Sequence, residues 1–259
     1  MAAPLMVRGA RQLLTLRESR GSRGGTPEER LGIIADGSLL IEGGRIAEVG
    51  VWRRIGNLEK ARGIAQADVS GCLVMPGLVD GLADLFAGAV SVPVLRKRVR
   101  AMLENGTTTA CYRQAGNTRQ LRQVQELGLE VHATSGDGDE PMLPLCDPHS
   151  RWREGATLGS GFDGHKQLAV SMPAAIALAS RSAPVEEAIL AATLYGARRL
   201  GIGQQVGALV PGYQADFVVL DIPQYTEIPY HLGENRVRAV YKRGVKVYER
   251  GEPYWHGES

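Results

Sequence analysis

The stretch P76-G-L-V-D-G-L-A-D-L-F-A-G88 follows the apolar run L73-V-M. It has the character of a buried strand that delivers something polar to the mouth of a barrel. Its carboxylates, Asp80 and Asp84, are of a type that could coordinate a metal, because carboxylate oxygen is an acceptable ligand for zinc or iron. Three histidines come into question for the same chemistry. His132 sits in the strand-like L129-E-V-H-A133, whereas His149 and His165 lie in polar stretches rich in Gly, Asp and Pro with no ligand spacing. Those two read as exposed loop histidines. Cys72, Cys111 and Cys146 form no CxxC pair and are odd in number, so isolated reduced thiols are expected rather than a disulfide framework or a structural zinc site.

The elements that must position these groups fall into two kinds. Both chain ends are β-rich. S38-L-L-I-E-G-G-R-I-A-E-V-G50 is two runs around Gly43-Gly44, a hairpin signal because both turn positions need positive φ. V237-R-A-V-Y-K-R-G-V-K-V-Y248 repeats that plan around Gly244, and F217-V-V-L-D221 is a further short strand after the turn-forming Pro211-Gly212. R17 through R30 is polar and Gly-rich, and reads as an exposed mobile loop. The middle alternates differently. Pro93 starts a helix over 94–105 with Leu95, Val99, Met102 and Leu103 on one face, and Gly106 closes it before the strand T107-T-T-A-C-Y112. A helix over 121–127, a strand over 129–133, and helices opened by Pro173 and Pro184 (the latter through Leu200) continue the pattern. Repeated helix–Gly–strand units indicate a parallel α/β sheet. The cluster Arg96-Lys97-Arg98 is the solvated face of its helix.

Taken together, these segments resemble the amidohydrolase superfamily, and within it the imidazolonepropionases of histidine degradation. The resemblance rests on L31-G-I-I-A-D-G-S-L-L-I-E-G-G-R-I-A-E-V-G50, L73-V-M-P-G-L-V-D80, G106-T-T-T109, V206-G-A-L-V-P-G-Y-Q-A-D-F-V-V-L-D221 and Y225-T-E-I-P-Y-H-L-G-E-N-R-V-R-A-V-Y-K-R-G244. It is strong at both ends and thin between. It implies a (β/α)₈ barrel with a β-sandwich made from both termini, and a hydrolase acting on a C–N bond of a cyclic amide. The cofactor it implies, zinc or iron, lowers the pKa of a bound water and polarises the ring carbonyl. The residues themselves call for no cofactor.

Carried over position by position, the resemblance puts Leu82 at the first metal ligand and Asp84 at the second. Leu82 cannot coordinate anything. His132 matches the third ligand and reads equally as a strand histidine, since Thr134-Ser135 follow where an acidic residue is expected. Asp163 in G159-S-G-F-D163 matches the catalytic, metal-binding aspartate, just before Ser171-Met172-Pro173. Ala89 stands where an arginine would meet a substrate carboxylate. The metal set is therefore Asp84, His132 and Asp163, with Asp163 as the catalytic residue.

Length adds a separate constraint. A complete (β/α)₈ barrel takes about 250 residues, whereas Asp80 to Leu200 spans 121 residues. About four strand candidates fall within it. The expected organisation is a composite β-sandwich domain over 1–74 and 206–259 and a truncated barrel domain over 75–205. Two functional readings of different class follow: an amidohydrolase-type enzyme, or a non-catalytic pseudoenzyme serving as scaffold, subunit or small-molecule binder. The expected partner is a small-molecule substrate or ligand. A net charge of +2 points to no nucleic acid or membrane. A homo-oligomer, most simply a dimer, would cover the open barrel edges. The opening residues carry no apolar run long enough for a signal peptide, so a cytoplasmic location is expected.

Overall fold

The computed structural model describes residues 2–17, 25–81, 83, 85–86, 90–112, 116–133, 142–144, 156–159 and 171–252. The amino-terminal part forms β1 (Leu5–Leu14), α1 (Pro27–Leu31), β2 (Ile33–Glu42), β3 (Arg45–Val51), α2 (Trp52–Ile55), β4 (Ala65–Asp68) and β5 (Leu73–Pro76). The middle supplies β6 (Leu78–Asp80), α3 (Val92–Glu104), β7 (Thr107–Tyr112), α4 (Thr118–Glu126), β8 (Glu130–Ala133), β9 (Met142–Pro144) and β10 (Thr157–Gly159). It ends with α5 (Met172–Ala179), α6 (Val185–Ala191) and α7 (Leu194–Arg199). The chain then returns through β11 (Phe217–Leu220), β12 (Val237–Lys242) and β13 (Val245–Glu249).

Both chain ends enter one eight-stranded sheet, ordered β13-β12-β11-β5-β1-β2-β3 with β4 on β1. Gly43 and Gly44 turn the β2–β3 hairpin at φ 58° and 79°, and Arg243 and Gly244 turn the β12–β13 hairpin at 48° and 73°. These two tips meet. The amide of Ala215 donates to Gly44 O and that of Gly244 to Ala215 O, each at 2.9 Å. The sheet thereby folds over its own apolar face, where Leu13, Leu39, Ile41, Val74, Phe217, Val219 and Tyr241 pack together. Phe217 and Tyr241 stack with ring centroids 4.4 Å apart. One continuous sheet thus does the work of a sandwich.

The middle forms an incomplete barrel. β6, β7 and β8 pair in parallel, as do β9 and β10. The amide of Gly81, just past β6, donates to Leu158 O at 3.0 Å and sets the β9–β10 pair beside the β6-β7-β8 sheet. Five short strands make an arc, and no closed barrel exists among the described residues. α3 and α4 cover the outer face of β7 and β8: Leu95, Val99 and Leu103 of α3 and Val124 of α4 bury Ala110 and Val131. α7 covers β6, where a Cβ on Gly196 would come within 3.0 Å of Val79. α5 and α6 pack between the arc and the folded sheet, in the largest core with Leu78, Leu158, Met75 and Val218.

Three local readings are corrected. Residues 17–30 are not wholly loop: Thr26 and Glu29 form a reciprocal capping box that starts α1. The helix from Pro184 to Leu200 is two helices. Between them, Thr193 leaves helical geometry at φ −138°, ψ −93°, and its hydroxyl donates to Ile189 O at 2.6 Å. Such back-bonding competes with the helix ladder. Residues 142–144 form the strand β9, paired with β10, so five short strands are described in the middle of the chain where about four were expected. No helix among the described residues is long and apolar enough to cross a membrane.

Candidate active-site face

In parallel strands, residues paired in register project to the same side. Thr109 pairs with Glu130 and Cys111 with His132. Their neighbours Ala110 and Val131 face α3 and α4, so Thr109, Cys111, Glu130 and His132 share the opposite face of β7 and β8. Fully buried Asp80 ends the adjacent strand. Beyond it the backbone stays tied to β7, with the amide of Ala83 donating to Cys111 O at 3.0 Å. Arg98 on α3 donates to Leu85 O at 2.7 Å, and Phe86 meets Tyr112 edge-on.

The centre of this face is a chain of charges. Nε2 of His132 lies 2.9 Å from Oε1 of Glu130. The other Glu130 oxygen accepts from Lys242 Nζ at 2.7 Å, and Lys242 also donates to Asp216 Oδ2 at 2.6 Å. The remaining Asp216 oxygen accepts the backbone amide of Arg243 at 2.8 Å. Lys242 and Asp216 are buried, so the network satisfies charges that would otherwise be costly. The His132 hydrogen bond, aided by Lys242 and opposed by burial, holds the Glu130 carboxyl down at about 2. Two hydroxyls, Thr109 Oγ1 next to Glu130 in the β7–β8 pairing and Thr157 Oγ1 on β10, are buried with no hydrogen-bond partner among the described residues.

Of the candidate site residues, His132 is the one the structure describes. Leu82, Asp84, Ala89, His149, Asp163 and His165 lie outside the described residues. Among the described residues, no three His, Cys, Asp or Glu side chains are grouped to hold a metal ion. His132 has one nitrogen committed to Glu130, and Leu82 is no donor. Of the metal set that the resemblance implies, the described residues include His132 alone, with its Nε2 on Glu130. Sequence reasoning missed Glu130, Lys242 and Asp216. The available signal was L129-E-V-H, which puts Glu130 and His132 two apart on one strand face.

Comparison with known proteins agrees with this frame. The sequence model of the amidohydrolase family matches residues 145–247. The imidazolonepropionase of Clostridium tetani is 36% identical over 155 residues, covering 48% of this chain and 37% of that protein. That of Rubrobacter xylanophilus is 30% identical over 191 residues, covering 62% and 46%. The chain spans less than half the length of these relatives. In structure, E. coli guanine deaminase aligns with a TM-score of 0.67 at 16% identity, over 96% of this chain and 100% of that one. A triazine hydrolase variant aligns at 0.68 and 13%, over 96% and 95%. At such identities the structural likeness speaks for the fold alone. The chain is an amidohydrolase-superfamily protein, imidazolonepropionase-like in sequence.

Proposed function

We propose that this chain uses an imidazolonepropionase-type frame to bind a small cyclic amide without hydrolysing it. The observation that carries this reading is the use made of His132. Its Nε2 is held by Glu130, and Glu130 is locked to Lys242 on the folded sheet. Both residues lie on β8, so it is Glu130 that fastens the arc to the sheet, and the histidine braces Glu130. Leu82 at the first ligand position, Ala89 at the carboxylate-clamping position and the shortened barrel point the same way. The chain's own residues can still recognise a cyclic amide. Thr109 Oγ1 and Thr157 Oγ1, buried with no hydrogen-bond partner among the described residues, are the hydroxyls that a rearrangement of the strand ends would have to expose to such a ligand.

One observation favours a second reading, a metal-dependent C–N hydrolase. A carboxylate bonded to one imidazole nitrogen is the arrangement that orients metal-binding histidines, with the other nitrogen toward the metal. In that reading Glu130 orients His132, and Asp84 and Asp163 complete the set. An assay on imidazolonepropionate separates the two. The proposal expects no turnover above the uncatalysed rate, with or without added zinc or iron, and saturable binding by calorimetry. Metal-dependent turnover abolished in His132→Ala would establish the hydrolase instead.

A further inference from the structure

The structure assigns a second ligand site, for a small molecule bearing a phosphate group, to a cavity of about 740 Å³ away from the Glu130–His132 face of β7 and β8. Arg17, which follows β1, Glu48 and Arg54 from β3 and α2, and Arg198 from α7 line it, with Val210 and Pro211 as an apolar wall. Beside Arg198, whose stem packs on Gly203, the guanidinium groups of Arg17 and Arg54 and the Glu48 carboxylate line it. That carboxylate already has a cation of its own: Lys60 Nζ donates to Glu48 Oε1 at 3.1 Å and, as the largest cause, lowers the Glu48 pKa. Among the described residues, Arg17, Arg54 and Lys60 against Glu48 leave this lining with surplus positive charge.

Two of the arginines are seated by glycines. A Cβ on Gly50 would lie 3.0 Å from Nε and 3.1 Å from Nη2 of Arg54, so the bare backbone lets the guanidinium rest against the strand. Nη2 donates to Val49 O at 2.8 Å and to Glu48 Oε2 at 3.5 Å. Nε and Nη1 of Arg54 remain as donors among the described residues. A Cβ on Gly203 would lie 2.6 Å from Cγ of Arg198, so the Arg198 stem packs on that glycine. The Tyr213 hydroxyl fixes the same loop by donating to Gly203 O at 3.0 Å. Arg17 is exposed, and its guanidinium has no partner among the described residues. Guanidinium forks match the oxygens of a phosphate. A phosphate dianion balances the surplus charge, which a single carboxylate cannot. The apolar wall suits the organic part of a phosphate ester.

Titration of the full chain with inorganic phosphate, glycerol 3-phosphate and succinate tests this by calorimetry and thermal melting, with ionic strength held constant by NaCl. Both phosphates are expected to bind saturably and raise the melting midpoint. The Arg17→Gln/Arg54→Gln double variant should weaken them at least about tenfold, because each charge-assisted hydrogen bond lost costs about that much. Gly50→Ala, which crowds the Arg54 guanidinium, should weaken binding with no charge removed. Lys97→Gln, an exposed lysine on α3, should change nothing. Tighter binding of glycerol 3-phosphate identifies an ester as the ligand, and equal affinity identifies free phosphate. The assignment is overturned if NaCl alone reproduces the shift, if the double variant keeps its affinity while still melting cooperatively, or if succinate binds more tightly than either phosphate. None of these outcomes depends on turnover at the arc.

Discussion

Glu130 accepts from His132 and Lys242 at once, and both bonds reach a carboxylate held well below its ordinary range. A carboxyl whose pKa falls on folding stabilises the native state above its unfolded value. That contribution is lost as pH drops through the folded value. For Glu130 the window runs from 4.5 down to about 2, and the full effect is about 3 kcal/mol. Acid unfolding followed by circular dichroism should show wild-type stability falling through this window, and Glu130→Gln should flatten that part of the curve. Lys242→Met leaves Glu130 and Asp216 without their shared cation. It should cost about 3–5 kcal/mol in denaturant unfolding, whereas loss of an exposed pair such as Arg8–Asp68 should cost no more than about 1 kcal/mol. His132 was legible as a candidate from L129-E-V-H-A133. Its partners were not, because Lys242 lies 112 residues from Glu130 in the chain and only the fold brings them together.

Elements with their own local chemistry were readable. The Gly43-Gly44 and Arg243-Gly244 hairpins, the apolar face of α3 and the strand Thr107–Tyr112 all lie where turn residues and periodicity put them. Elements that depend on tertiary context were not. β9 and β10 are three residues each, too short for any periodicity, and they exist as strands because they pair with each other. At the break before Thr193 the carbonyl of Ala192 accepts the amide of Val79 on β6 at 2.8 Å, a partner that only the fold supplies. Glycine turns offer a direct test at this scale. Gly44 has φ 79°, and a Cβ there would lie 3.0 Å from Arg243 O, where the two hairpin tips meet. Gly63 has φ 73° and open space around it. Gly63→Ala should cost about 1 kcal/mol from the backbone alone. Gly44→Ala should cost measurably more, read as a larger fall in thermal midpoint.

The folded sheet and the arc are joined by α5, α6 and the Glu130–Lys242 bond, and the arc stops at five strands among the described residues. Among the described residues β8 is then an edge, and parallel sheets ordinarily keep theirs covered. Light scattering at micromolar concentration should report a two-fold dimer, and a clean monomer would show that the chain covers this edge itself. The family frame was legible because its motifs sit in the well-marked sheet at both chain ends. Competence for hydrolysis was not, because it depends on how Asp84 and Asp163 stand relative to His132, and spacing along the chain does not fix that. Metal content decides it most directly. After dialysis of the purified full chain against a weak chelator, mass spectrometry should find zinc and iron well below one per chain. One zinc or iron per chain, lost in His132→Ala, would contradict the account and make the chain a metal-dependent hydrolase.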